Sequence, residues 1–325
     1  LDHLALILHA YHIAPDGTAK PISEGQLAPP RAAGDGYDWY HFSRQDPDIA
    51  AIFEADAYLD KIAERTLLAE DSRPRTILRH QDVLINLRGV NLNPGAEPED
   101  MVGIRFFIQP TRIVSVEKRP LRATRDMAMR LKSQTAPETP GGFISSFAQM
   151  IIDRMIPTIL DLNEQVDDLE ETIDTGKSDA ARPLVADLRR EAIQLRRYLA
   201  PQRDALSALS LQKLSWITAE DQLRLRDAAD QATRVTEELD AVRERCAIVK
   251  DQLTDLRAEQ MNKNMMILAV VSAVFLPLGL ISGMMGINVG GMPWTENGMG
   301  FWYVSAIVLG VGATLGAVFK LLKWL

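Results

Sequence analysis

Two runs near the C-terminus, Met265–Met285 and Phe301–Phe319, are apolar throughout and carry no charged side chain. Each is long enough to cross a bilayer core of roughly 30 Å as a helix. They are joined by Gly286-Ile287-Asn288-Val289-Gly290-Gly291-Met292-Pro293-Trp294. Upstream the pattern changes to helical seams. Ile159, Leu162, Val166, Leu169 and Ile173 step by 3 and 4 residues, and Thr175-Gly176-Lys177-Ser178 interrupts them. Asp179–Leu211 resumes with Leu188, Leu195, Leu199 and Leu206. After a turn near Ser215–Thr218, where Thr218 and Asp221 have the spacing of a capping box, Ala228, Ala232, Val235, Leu239, Val242, Cys246, Val249, Leu253 and Leu256 keep the alternation. No Gly or Pro lies between Ile217 and Pro277, so this helix should run unbroken into the first apolar run as a rod on the order of 100 Å.

The first 130 residues are different. Leu4–Ile13, Val83–Leu92, Val102–Ile108 and Ile113–Val116 read as strands bounded by Pro, Gly and Asn. Asp46–Glu54 and Leu59–Glu70 read as helices, with Asp46-Pro47 as the cap of the first. The expected fold is an α/β N-terminal domain, 1–130, followed by a long-helix stalk or funnel region, 131–263. A first membrane helix, 264–286, an outer loop, 287–300, a second membrane helix, 301–319, and a basic tail, 320–325, complete the chain.

Composition alone hides the membrane part, because 46% hydrophobic and 25% charged residues describe an ordinary soluble protein. A net charge of −8 argues against a nucleic-acid partner and favours cations. One cysteine excludes an internal disulfide and a multi-cysteine zinc site. Leu4–Leu8 has neither a basic lead nor a cleavage site, so it does not read as a signal peptide. Arg257 and Lys263 precede the first run and Lys320 and Lys323 follow the second, whereas the connecting loop holds only the acid Glu296. The positive-inside rule then places both termini and the soluble body in the cytoplasm and the chain in the cell inner membrane as a multi-pass protein among lipids. No nucleophile–base pair or phosphate loop marks the N-terminal domain, so an enzyme is not expected.

Two helices cannot enclose a water path, so conduction would require several copies. One face of the first run and its flanks, Asn262, Met265, Ala269, Ser272, Leu276, Gly279, Gly283 and Gly286, includes nearly all its small or polar residues. That face suits either pore lining or lipid-phase helix packing, since Gly279 and Gly283 form a Gly-x-x-x-Gly pair, as do Gly312 and Gly316 in the second run. Asp161, Glu164, Asp168 and Glu171 share one helical face, which is either a solvated surface or a cation-attracting one, and Glu296 would add charge in the loop. All five histidines, His3, His9, His12, His41 and His80, lie in the first 80 residues, so no tight zinc site is expected in the spans. His9 and His12 are three apart in an expected strand and should face opposite sides.

Gly286-Ile287-Asn288 after one terminal span, followed by a short loop, a second span and the tail Lys320-Leu321-Leu322-Lys323-Trp324-Leu325, resembles the CorA superfamily of divalent-cation transporters. Ile287 stands where that family usually has Met, and Gly-Ile-Asn-Val-Gly-Gly-Met-Pro is similar to its ZntB branch, the zinc transporters. The resemblance implies a homopentameric funnel whose first spans line a pore, with Gly286, Ile287 and Asn288 at its outer mouth. It implies Zn²⁺ as transported ion rather than bound cofactor, with proton-linked uptake as one form of that transport. A magnesium, cobalt or nickel channel is the alternative. A membrane-tethered coiled-coil scaffold is the alternative from another class.

Overall fold

The computed structural model describes residues 7–22, 27–70, 73–174, 178–287, 289–294 and 296–322. Asn288, Lys323, Trp324, His3 and the Thr175–Lys177 break therefore lie outside the described residues. The chain divides into two units, Leu1–Val249 and Lys250–Leu325.

The first unit is built on strands β1 (Ile7–Ile13), β2 (Ala19–Pro21), β3 (Tyr37–Ser43), β4 (Arg75–Arg79), β5 (Asp82–Gly89), β6 (Val102–Gln109) and β7 (Arg112–Glu117). They form one sheet in the order β2-β1-β3-β7-β6-β5-β4. Every neighbouring pair is antiparallel except β3 and β7, which run parallel. Helices α1 (Ile49–Ala55) and α2 (Lys61–Leu68), with the turn between them, supply Phe53, Leu59, Ala63 and Leu67 to a core with Tyr40, Phe42, Phe107, Val114 and Val116. The other face of the sheet meets α4 (Pro140–Asp174), with the rings of Trp39 on β3 and Phe143 5.1 Å apart and those of Phe106 on β6 and Phe147 4.9 Å apart. With both faces covered, the central strands are buried along nearly their whole length.

Three strands, β2, β3 and β4, are absent from the sequence pattern. Two corrections concern detail. The first helix starts at Ile49, not at the Asp46-Pro47 cap, because the Asp46 carboxylate accepts the Asp48 N–H at 3.0 Å and closes a turn instead. Leu256 continues the apolar seam in sequence but is 41% exposed. One turn requires glycine: Gly36 has φ +81°, and a Cβ there would lie 2.0 Å from the Ile13 carbonyl oxygen.

The helical part begins at α3 (Arg122–Lys132) and continues through α4, α5 (Ser178–Ser210) and α6 (Ala219–Met285). The seam residues of α4 and α5 are buried, as are those of α6 up to Leu253. Thr218 and Asp221 form the expected reciprocal cap: Thr218 N–H donates to Asp221 Oδ2 at 3.0 Å and Asp221 N–H donates to Thr218 Oγ1 at 3.1 Å. The same Asp221 oxygen accepts the Thr139 hydroxyl at 3.0 Å, so one buried carboxylate serves the starts of both α4 and α6.

Candidate ion-conducting hairpin

Helix α6 is 67 residues long and passes through Pro277 without ending. Proline lacks an N–H, so the Ala273 carbonyl loses its helical donor at that point. Helix α7 (Gly300–Leu321) follows. Among the described residues three helices, α4, α6 and α7, are long and apolar enough by length and composition to cross a membrane. In α4 56% of the apolar window is buried inside the protein, against 6% in each of α6 and α7.

Within the second unit, a Cβ placed on Gly312 would meet Leu278 Cδ1 at 3.5 Å, which puts Gly312 where α7 approaches α6. Val270 is buried in this stretch of α6. The stripe expected from helical spacing lies elsewhere. Asn262, Met265, Ala269, Ser272, Leu276, Gly279 and Gly283 are all exposed, and a Cβ added at Gly279 or Gly283 would meet nothing within 4 Å. The Ser272 hydroxyl donates back to the Leu268 carbonyl at 2.8 Å, which satisfies its proton and leaves its lone pairs outward.

At the end of α6, Gly286 N–H donates to the Ser282 and Gly283 carbonyls, both at 3.1 Å. Gly286 closes the helix without left-handed backbone; among the described residues of this loop the left-handed positions are Gly291 at φ +93° and Trp294 at φ +69°. Ile287 is 52% exposed. A cavity of about 800 Å³ adjoins the motif, lined among others by Ser282, Met285, Gly286, Trp294 and Asn297. Trp294 stacks at a tilt on Tyr303, 6.0 Å between centroids. Glu296 is exposed in the same loop.

The acidic residues Asp161, Glu164, Asp168 and Glu171 are exposed on α4. Their neighbours Asp167 and Glu170 are paired: Arg245 of α6 reaches both, at 2.5 Å and 2.7 Å. These hydrogen bonds raise the Arg245 pKa further above its ordinary value. Sequence reasoning misses Arg245, although its place beside the Cys246 seam position is where coiled helices carry inter-helix charge pairs. Glu191 on α5 is pushed up to about 7, first by burial and then by the charges of Glu99, Asp161 and Glu97. Among the described residues no group of three or more His, Cys, Asp or Glu side chains is arranged to hold a metal ion.

The family model described as CorA-like Mg2+ transporter protein matches residues 34–323. The chain belongs to this CorA-like family. A divalent cation transporter, CmaX, of Pseudomonas aeruginosa is 34% identical over 321 residues, covering 98% of this chain and 97% of that one. The zinc transport protein ZntB of Pectobacterium atrosepticum is 31% identical over 326 residues, covering 100% and 98%. The solved full-length CmaX structure superposes with a TM-score of 0.83 at 34% identity, covering 98% of each chain. The complete CorA magnesium transporter of Methanocaldococcus jannaschii gives the same TM-score of 0.83 at 16% identity, which establishes a shared fold. The CorA-like fold, an N-terminal α/β domain followed by long helices, thus extends over the whole chain, and the family is one of membrane transporters rather than enzymes.

Proposed function

We propose that this protein takes up Zn²⁺ through a pore formed by five copies, each contributing α6 as lining helix and α7 as outer helix. The observation that carries this reading is the exposed small and polar stripe on α6, which the chain's own second span does not cover. Exposed glycines at Gly279 and Gly283 let neighbouring backbones approach in an assembly, and the outward lone pairs of Ser272 suit a hydrated cation. In this reading 264–286 and 301–319 are the two spans, 1–130 and 131–263 form the cytoplasmic domain and stalk, and 287–300 is the outer loop. The positive charges of Arg257, Lys263 and Lys320 then lie inside, with both termini.

Gly286, Ile287 and Asn288 would ring the outer mouth. Neutral amide oxygens exchange with a hydration shell without retaining the ion, as conduction requires. The ZntB relatives and Ile287 support zinc; the family description supports magnesium as the second reading. Proton linkage would have to involve Glu296 or carboxylates of the soluble body, because neither span carries an acidic residue, a histidine or a lysine within its apolar run.

The test is flux into liposomes holding a zinc-sensitive dye, with and without a pH gradient, beside a parallel Mg²⁺ assay. Zinc entry that exceeds Mg²⁺ entry is expected. Mg²⁺ entry without zinc entry would overturn the metal assignment, and no flux of either would overturn the transporter.

A further inference from the structure

A cavity of about 500 Å³ lies between α3, α4 and α6 in the first unit. Its volume falls in the range of small-molecule sites, roughly 300–1,000 Å³. Arg130 of α3, Ser146, Gln149 and Asp153 of α4, and Arg224 and Asp227 of α6 are among its lining residues. Each of the three helices thus contributes a charged group, and the two arginines balance the two aspartates.

Three of these groups have valences that the protein does not use. Ser146 is only 8% exposed, yet its hydroxyl makes no hydrogen bond among the described residues. A helical serine ordinarily returns its proton to a carbonyl one turn back, as Ser145 does to Gly142 at 3.1 Å. Asp227 enters no hydrogen bond or ion pair among the described residues. Arg130 enters no ion pair among them either: its Nε donates to the Thr135 carbonyl at 2.8 Å, which fixes the guanidinium and leaves both Nη groups over.

The remaining lining groups are held in place from outside the cavity. Arg224 Nη2 donates to Glu220 at 2.5 Å. Gln149 spends both amide hydrogens, on Asp153 at 2.8 Å and on Gln231 at 2.7 Å, so its carbonyl oxygen is left as an acceptor. A cation and an anion therefore line one cavity without pairing to each other. A simple anion would satisfy Arg130 and sit in the field of Asp227, and a simple cation would meet the reverse conflict. A molecule that carries a carboxylate and an ammonium satisfies both with charge-assisted hydrogen bonds.

We propose that this cavity binds a free amino acid, its carboxylate on the Nη groups of Arg130, its ammonium on Asp227, and the Ser146 hydroxyl completing the polar contacts. The site belongs to the first unit and stands whatever ion the hairpin conducts. A ligand there touches three helices at once, α6 close to its start, and so braces the beginning of the long rod against α3 and α4.

The test uses the full-length protein in detergent, first in thermal unfolding with each proteinogenic L-amino acid at millimolar concentration. At least one should raise the midpoint by several degrees. Acetate and methylammonium, which carry the two charges on separate molecules, should not do so at equal concentration. Calorimetric titration of that amino acid should then give one site per chain. Asp227→Asn removes no contact within the protein, so it should leave the unliganded midpoint unchanged while weakening binding about tenfold or more. Arg130→Gln should weaken binding as much, and Ser146→Ala several-fold. No shift with any amino acid, an equal shift with acetate or methylammonium, or wild-type affinity in Asp227→Asn would each overturn the proposal.

Discussion

His9 is a half-buried imidazole whose pKa is lowered to about 4 by burial and by its neighbour His41. The unfolded chain, with an ordinary histidine near 6.5, binds more protons between those values. Folding stability from this residue is therefore complete above about pH 6.5 and is lost as pH falls toward 4. The loss is on the order of 1–2 kcal/mol once solvent screening of the half-buried ring is allowed for. Urea unfolding at pH 7.5 and 4.5 should show this slope, and His9→Gln should flatten it; an unchanged slope would remove His9 as its source. At the other end of the chain, Asn288→Ala should cut zinc flux at least tenfold while leaving the unfolding midpoint of the soluble body unchanged. Wild-type flux in that variant would exclude the amide ring.

Among the elements, the paired starts of α4 and α6 depend on Asp221 more than on any local propensity. The carboxylate caps Thr218 and accepts Thr139, so Asp221→Ala removes a helix cap and orphans a partly buried hydroxyl. A loss of about 2–3 kcal/mol is expected, read as a lower urea midpoint at constant m value; Thr218→Ala should cost only about 1. This cap was legible in the sequence because it is local, as were the seams of α4, α5 and α6. Strand β3 was not. Tyr37–Phe42 is buried on both faces, so the alternation that marks a strand is missing. Its polar members find their partners elsewhere in the chain, Asp38 Oδ1 in His12 and Arg31 and His41 Nδ1 in Ser115, while Asp38 Oδ2 and His41 Nε2 have none. The stripe on α6 is a reading of helical period alone, since the period sorts faces without knowing the partner, and off-stripe residues such as Leu268 and Phe275 are exposed as well. Arg245 escapes a sequence reading because its acids lie 75 and 78 residues away, on another helix.

At the scale of the whole molecule, a net charge of −8 must serve both folding and cation handling. Arg245 neutralises Asp167 and Glu170, while Asp161, Glu164, Asp168 and Glu171 on the same helix stay exposed. Like charges three and four residues apart cost roughly a few tenths of a kcal/mol per pair, so this face is held at some expense to the empty protein. A purely solvating surface would need no such concentration of one sign. If the face raises the local cation concentration, its effect must be long-range and screened by salt. The quadruple change Asp161→Asn, Glu164→Gln, Asp168→Asn and Glu171→Gln should then raise the unfolding midpoint slightly. It should lower zinc flux several-fold at 10 mM salt and leave it unchanged at 500 mM. It should also move the Glu191 titration down from about 7, because Asp161 is one of the charges that raise it. Equal flux loss at both salt concentrations would mean that the carboxylates act by direct contact or by shaping the helix; no loss at either would leave the face as a solvated surface. The three readouts separate these outcomes because stability, titration and salt-dependent flux respond to the same charges through different distances.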